Sequence, residues 1–125
     1  MKQLSLIILV AFTVILTGCK SSPEDVVSSF FEAVDKGDVT KAKKYLSKDL
    51  ISKLGETKLT IALSEQIEKF KECGGVKEIK VNLEGQGGIR NGTAKISFNG
   101  KCPDTTEKVS LILEDGNWKI TMSKD

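Results

Sequence analysis

Histidine is absent from this chain, which removes the commonest proton shuttle and the commonest metal ligand at one stroke. Tryptophan and tyrosine occur once each, so aromatic chemistry away from the phenylalanines is confined to Tyr45 and Trp118. Nor is there an excess of charge of one sign. Lys and Arg number 19 against 17 Asp and Glu, which argues against nucleic acid as a partner, since that use needs a strongly basic surface. The cysteines number three and have no metal-ligand spacing, so no metal site and no cofactor site is assigned. No nucleophile–base pair and no paired carboxylates stand at a catalytic spacing. No catalytic residue is therefore assigned, and the chain is expected not to be an enzyme.

Long apolar runs are also scarce, with one exception at the N-terminus. Lys2 supplies a positive start, Leu4 to Leu16 is nearly all aliphatic, and Thr17-Gly18-Cys19 follows. This is the layout of a secretory signal. The run is shorter than the roughly 20 residues that a transmembrane helix requires, and the Ala-x-Ala-like site of a plain signal peptide is missing. The Leu-x-Gly-Cys ending resembles the lipobox of bacterial lipoproteins. The resemblance implies cleavage before Cys19, a diacylglycerol on the Cys19 sulfur, and an acyl chain such as palmitate on the new amino group. Two or three acyl chains hold a protein on a bilayer where one does not. Residues 1–18 are thus expected to be a signal peptide, 19–22 a lipid-anchored tether, and 23–125 one domain. With so short a tether the domain stands at most roughly 10 Å off the membrane. An Asp after the lipidated cysteine would resemble an inner-membrane retention signal. Lys20 points instead to the periplasmic side of the outer membrane in a Gram-negative host, or to the outer face of the single membrane in a Gram-positive one.

Cys73 and Cys102 remain. An even pair in a small exported domain is most simply a disulfide. Charge is unevenly placed: Glu24, Asp25, Glu32 and Asp35 precede a segment, 36–58, with seven lysines. Two solvated helix faces that complement one another is the plainer account of this, and lysines laid against anionic headgroups the sharper one.

Ser22-Pro23-Glu24-Asp25 combines a cap, a first-turn proline and two acids, and so starts a helix. Val26, Val27, Phe30, Phe31 and Val34 give it one apolar face, and Gly37 ends it. Asp38 opens a second helix with Val39, Ala42, Tyr45 and Leu46 inward. Ser47 caps a third through Leu50, Ile51 and Leu54. A fourth spans Glu56 to Glu72, with Leu59, Leu63, Ile67 and Phe70 in register and Gly74-Gly75 as its stop. The apolar period then changes from 3.6 to 2 over 76–83, 93–99, 107–114 and 117–122. Asp115-Gly116 is a two-residue hairpin turn that opposes Val109 to Met122, Leu111 to Ile120 and Leu113 to Trp118. For the first hairpin, Asn91-Gly92 and the Gly85–Gly88 region are both candidate turns; the second places Cys73 opposite Cys102. The class is α+β: N-terminal helices packed on a four-stranded antiparallel meander that must bury one face.

Ser-Pro-Glu-Asp-Val-Val (22–27), Phe-Phe-Glu-Ala-Val-Asp-Lys-Gly-Asp (30–38), Lys-Tyr-Leu-Ser (44–47) and Glu-Asp-Gly-Asn-Trp-Lys-Ile (114–120) resemble, together with the lipobox, a family of small bacterial lipoproteins. These carry a domain of unknown function related to the nuclear transport factor 2-like (NTF2-like), or cystatin-like, folds. The resemblance implies a curled sheet around a long helix, often with a cone-shaped cavity, and no particular activity. Phe30, Phe31, Tyr45, Phe70, Phe98 and Trp118 are the candidate cavity lining. The expected function is a lipid-anchored envelope protein binding a small apolar ligand. The alternatives are an interaction module with a filled core that contacts another envelope protein, and an enzyme acting in the cone.

Overall fold

The computed structural model describes residues 21–123. Residues 1–20, with the expected signal segment and Cys19, lie outside the described residues. Four helices come first: α1 (Pro23–Asp35), α2 (Val39–Lys44), α3 (Lys48–Leu54) and α4 (Glu56–Glu72). Four strands follow: β1 (Val76–Glu84), β2 (Ile89–Phe98), β3 (Thr105–Glu114) and β4 (Asn117–Thr121). The sheet order is β1-β2-β3-β4, an antiparallel meander with helices on one face, as the change of period predicts. Among the described residues no helix is long and apolar enough to cross a membrane.

The helix starts follow from side-chain acceptors meeting orphan N–H groups. Ser22, Asp38 and Ser47 each accept from the backbone N–H three residues on, at Asp25, Lys41 and Leu50. α1 ends when the Asp38 N–H reaches back to the Ala33 carbonyl past Gly37, at φ +74°. The apolar stripe of α1 then lies in the curl of the sheet. Val27, Val34, Phe70, Ile96 and Leu111 are fully enclosed there.

Both hairpin registers are resolved. β3 and β4 pair Leu111 with Ile120 and Leu113 with Trp118, as the Asp115-Gly116 turn dictates. The ladder stops at Ser110–Thr121, so the expected Val109–Met122 pair does not form, and Met122 lies beyond the strand, 42% exposed. β1 and β2 pair Ile79 with Ile96 and Val81 with Ala94, around a turn in the Gly85–Gly88 region. Strand β2 therefore begins at Ile89, four residues earlier than its apolar alternation suggests. Asn91-Gly92 is not a turn. A Cβ at Gly92 would collide with the carbonyl oxygen of Asn82 on the neighbouring strand, so this glycine serves close approach of two backbones.

That register brings Cys73 and Cys102 together as a disulfide, Cα–Cα 5.3 Å. The Gly100 N–H donates to the Cys73 carbonyl beside it, where a side chain on Gly74 would meet the Gly100 backbone. The two edges of the sheet are treated differently. Asp35 at the end of α1 accepts from the Val76 N–H at the start of β1 (2.9 Å). The β4 edge is strapped by the link between α2 and α3: the Ile120 N–H donates to the Tyr45 carbonyl (2.7 Å), and the Ser47 N–H donates to the Ile120 carbonyl (2.8 Å).

Candidate functional site

The six candidate aromatics do not line one cavity. Phe31, Phe70 and Phe98 interlock in the core, with ring centroids 6.3 Å apart for the first pair and 5.4 Å for the second. Phe30 sits edge-on to Phe31 at 5.0 Å and is half-buried. The reason is volume: α1 and α4 both present phenylalanines to the same stretch of sheet, and tilted or edge-on rings fill it without a void. Only a small opening of about 240 Å³ remains there, between α4 and β3, bordered by Phe30, Phe31, Leu63, Glu107 and Val109.

Tyr45 and Trp118 are instead found at the opposite end, where the chain enters α1 and the two hairpins turn. Both are half-buried, and both line an open groove of about 550 Å³. Its walls come from three places: Ser21 and Val26 at the start of α1; Thr40, Lys41 and Lys44 on α2 with its caps Asp38 and Tyr45; and Asn117 to Lys119 on β4. Trp118 is held from within the sheet. The Arg90 guanidinium lies over the indole, 4.8 Å from the ring centroid, and also donates to the carbonyls of Gly87 and Ile89 in the first turn. Beside this end the sheet outruns the helices, so that Leu113 is 48% exposed although its face is the core face farther along.

Charge in the groove has one dominant sign. Lys41 and Lys44, three residues apart on α2, share a helical face. Lys119 approaches from β4, and its ammonium donates to the Lys44 carbonyl at the end of α2. Asp38 is the one acid of the groove wall, and its carboxylate is engaged in capping α2. Among the described residues the ion pairs use other lysines: Lys43 with Glu56, Lys48 with Asp115, Lys53 with Asp49 and Lys95 with Asp104. None joins the acids of α1 to the lysines of 36–58. Of the acids of α1, Asp35 anchors the start of β1.

The lysine-rich segment is visible in the sequence, and the groove is not. The signal was there in Lys41 and Lys44 flanking a lysine that faces elsewhere, since Lys43 turns to Glu56 and Thr60 on α4. Lys119 could not be added without the strap that brings β4 against α2. Among the described residues no group of three His, Cys, Asp or Glu could hold a metal ion.

The fold has solved counterparts. A Campylobacter jejuni protein named as an NTF2-like transpeptidase superposes with a TM-score of 0.70 at 22% identity, covering 82% of this chain and 100% of its own. A Shewanella frigidimarina protein named as a ketosteroid isomerase gives 0.58 at 19%, covering 80% and 90%. A de novo designed NTF2-fold protein gives 0.56 at 15%, covering 86% and 89%. At these identities the likeness is one of fold, and the architecture is NTF2-like. No curated protein matches the chain in sequence. The family described as Domain of unknown function (DUF4878) matches residues 17–121, nearly the whole length, and this chain belongs to that family.

Proposed function

We propose that the chain is a lipid-anchored protein of the bacterial envelope, attached through Cys19, whose domain holds a small ligand in the Trp118 groove without transforming it. The observation that carries this is the groove itself: about 550 Å³, within the range of small-molecule sites, walled by two aromatics and by polar groups that converge on them. The anchor rests on the lipobox-like ending at Cys19 and on the short apolar run before it. Binding without catalysis accords with the groove's single acid serving as a helix cap, the Asp38 carboxylate accepting from the Lys41 N–H. The activities named for two fold neighbours stay with those proteins, because a shared fold hosts many functions.

The interlocking of Phe31, Phe70 and Phe98 favours a second reading, an interaction module that contacts another envelope protein. Native mass spectrometry on the protein purified in mild detergent from its own host separates the two. A chain starting at a diacylglyceryl Cys19, with a co-bound small mass that Trp118→Ala removes, is the expected result. An unmodified Met1 terminus sinks the anchor. A lipidated chain with no bound mass sinks the ligand and gives the weight to a protein partner, which crosslinking would then capture.

A further inference from the structure

We infer that the ligand of this groove carries an anionic phosphate group, held by Lys41, Lys44 and Lys119, with the body of the ligand against Tyr45 and Trp118. The inference rests on the groove being a binding site, and names the chemistry that fits it.

Three lysines line one open groove, against a single carboxylate that is already hydrogen-bonded. Lys41 and Lys44 are neighbours on one helical face, and like charges so placed repel. Among the described residues neither they nor Lys119 takes part in an ion pair, although Lys43 between them does. The Lys119 ammonium spends one of its three donors on the Lys44 carbonyl, which holds it in the groove and leaves two donors to spare. The groove wall therefore presents more positive than negative charge, which an anion complements. Phosphate suits this wall better than carboxylate. A monoester offers three strong acceptor oxygens and up to two charges, a diester two oxygens and one charge, and lysine meets either as a mobile point charge without the planar fork that carboxylate pairing favours. The Arg90 guanidinium is occupied by the Trp118 ring and two turn carbonyls, so its part is to fix the aromatic wall.

Two sources supply such a group. Ser21 borders the groove only two residues after Cys19, a span of at most about 7 Å. With Cys19 lipidated, the groove opens at the level of phospholipid headgroups. A free phosphate ester is the other source.

The test uses the full chain in a neutral detergent. Trp118 is the only tryptophan, so its fluorescence reports from the groove itself. One arm titrates sn-glycerol 3-phosphate. The other compares detergent micelles doped with phosphatidylglycerol, whose phosphate is net anionic, against micelles doped with phosphatidylcholine, whose phosphate is neutralised by its own choline. A saturable response is expected in at least one phosphate arm. It should weaken about tenfold or more in Lys41→Gln/Lys44→Gln, weaken with added salt, and stay unchanged in Lys43→Gln. Circular dichroism of the Gln variants confirms that they fold. A response to glycerol phosphate alone identifies a soluble ester as the source, and one to phosphatidylglycerol alone identifies the headgroup. No saturable response to either probe, or one that the double Gln variant leaves intact, overturns the inference. A neutral co-purified ligand whose binding ignores the lysines would overturn it too while leaving the groove a binding site. A chain with neither co-bound mass nor response removes both.

Discussion

The two ends of the sheet are built to opposite ends. Where β1 and β3 begin, the chain is cross-linked by Cys73–Cys102, the Phe70 and Phe98 rings pack edge to face, and Asp35 pins α1 to β1. Where the hairpins turn, the sheet runs past its helices, Leu113 is half in solvent, and Tyr45 and Trp118 border an open groove with three lysines. One end is cross-linked and packed; the other is positive and open. The difference teaches where each property resides. The disulfide and the phenylalanine cluster lie away from the groove, whose open wall holds repulsive charge and half-exposed aromatics that a core could not tolerate.

The comparison is broken hardest by emptying the closed end. Phe70→Ala is expected to cost about 3–5 kcal/mol, the usual range for a buried phenylalanine, because Phe31 and Phe98 lose their shared partner; urea unfolding measures it. Removal of the bridge in Cys73→Ser/Cys102→Ser releases a loop of sequence separation 29. It should lower stability by on the order of 3–4 kcal/mol by chain-entropy arithmetic, read by the same titration against the wild type under reducing conditions, where the gap should close. Ser47→Ala sits between the two ends. It removes the α3 cap and the hydrogen bond to Thr121, for a loss of about 1–2 kcal/mol, and thermal melting should show it. At the open end the order of effects inverts. Lys41→Gln/Lys44→Gln should change stability by no more than about 0.5 kcal/mol, and in the stabilising direction, since repulsion is relieved. A marked loss of Tm in that variant would show the lysines to be structural.

Much of this was legible in the chain. Ser22, Asp38 and Ser47 announce three helices because a capping side chain and its N–H target lie three residues apart, which sequence displays directly. Asp115-Gly116 fixes the β3–β4 register because two residues suffice to define the turn. The β1–β2 register was not legible, since Asn91-Gly92 carries the same local preference but is used for strand approach at Asn82, a neighbour ten residues off. The aromatics were legible as apolar and not as walls. Whether a phenylalanine fills a core or borders a space depends on what faces it, and Phe70 and Phe98 come from a helix and a strand whose docking angle no local pattern encodes. The groove was least legible of all, because its cations come from α2 and β4 and its floor from the start of α1.

The strap across the β4 edge has a consequence for how the protein is made. Ser47 and Thr121, bonded through their hydroxyls, are 74 residues apart, and the groove draws on Ser21 as well as Lys119. A chain emerging N-terminus first can complete α1 to α4 early, from local contacts. It cannot close the strap or assemble the groove until its last strand has arrived. If the groove binds as proposed, a chain cut short before β4 would have helices and the first hairpin but no groove, and only a finished molecule could be loaded.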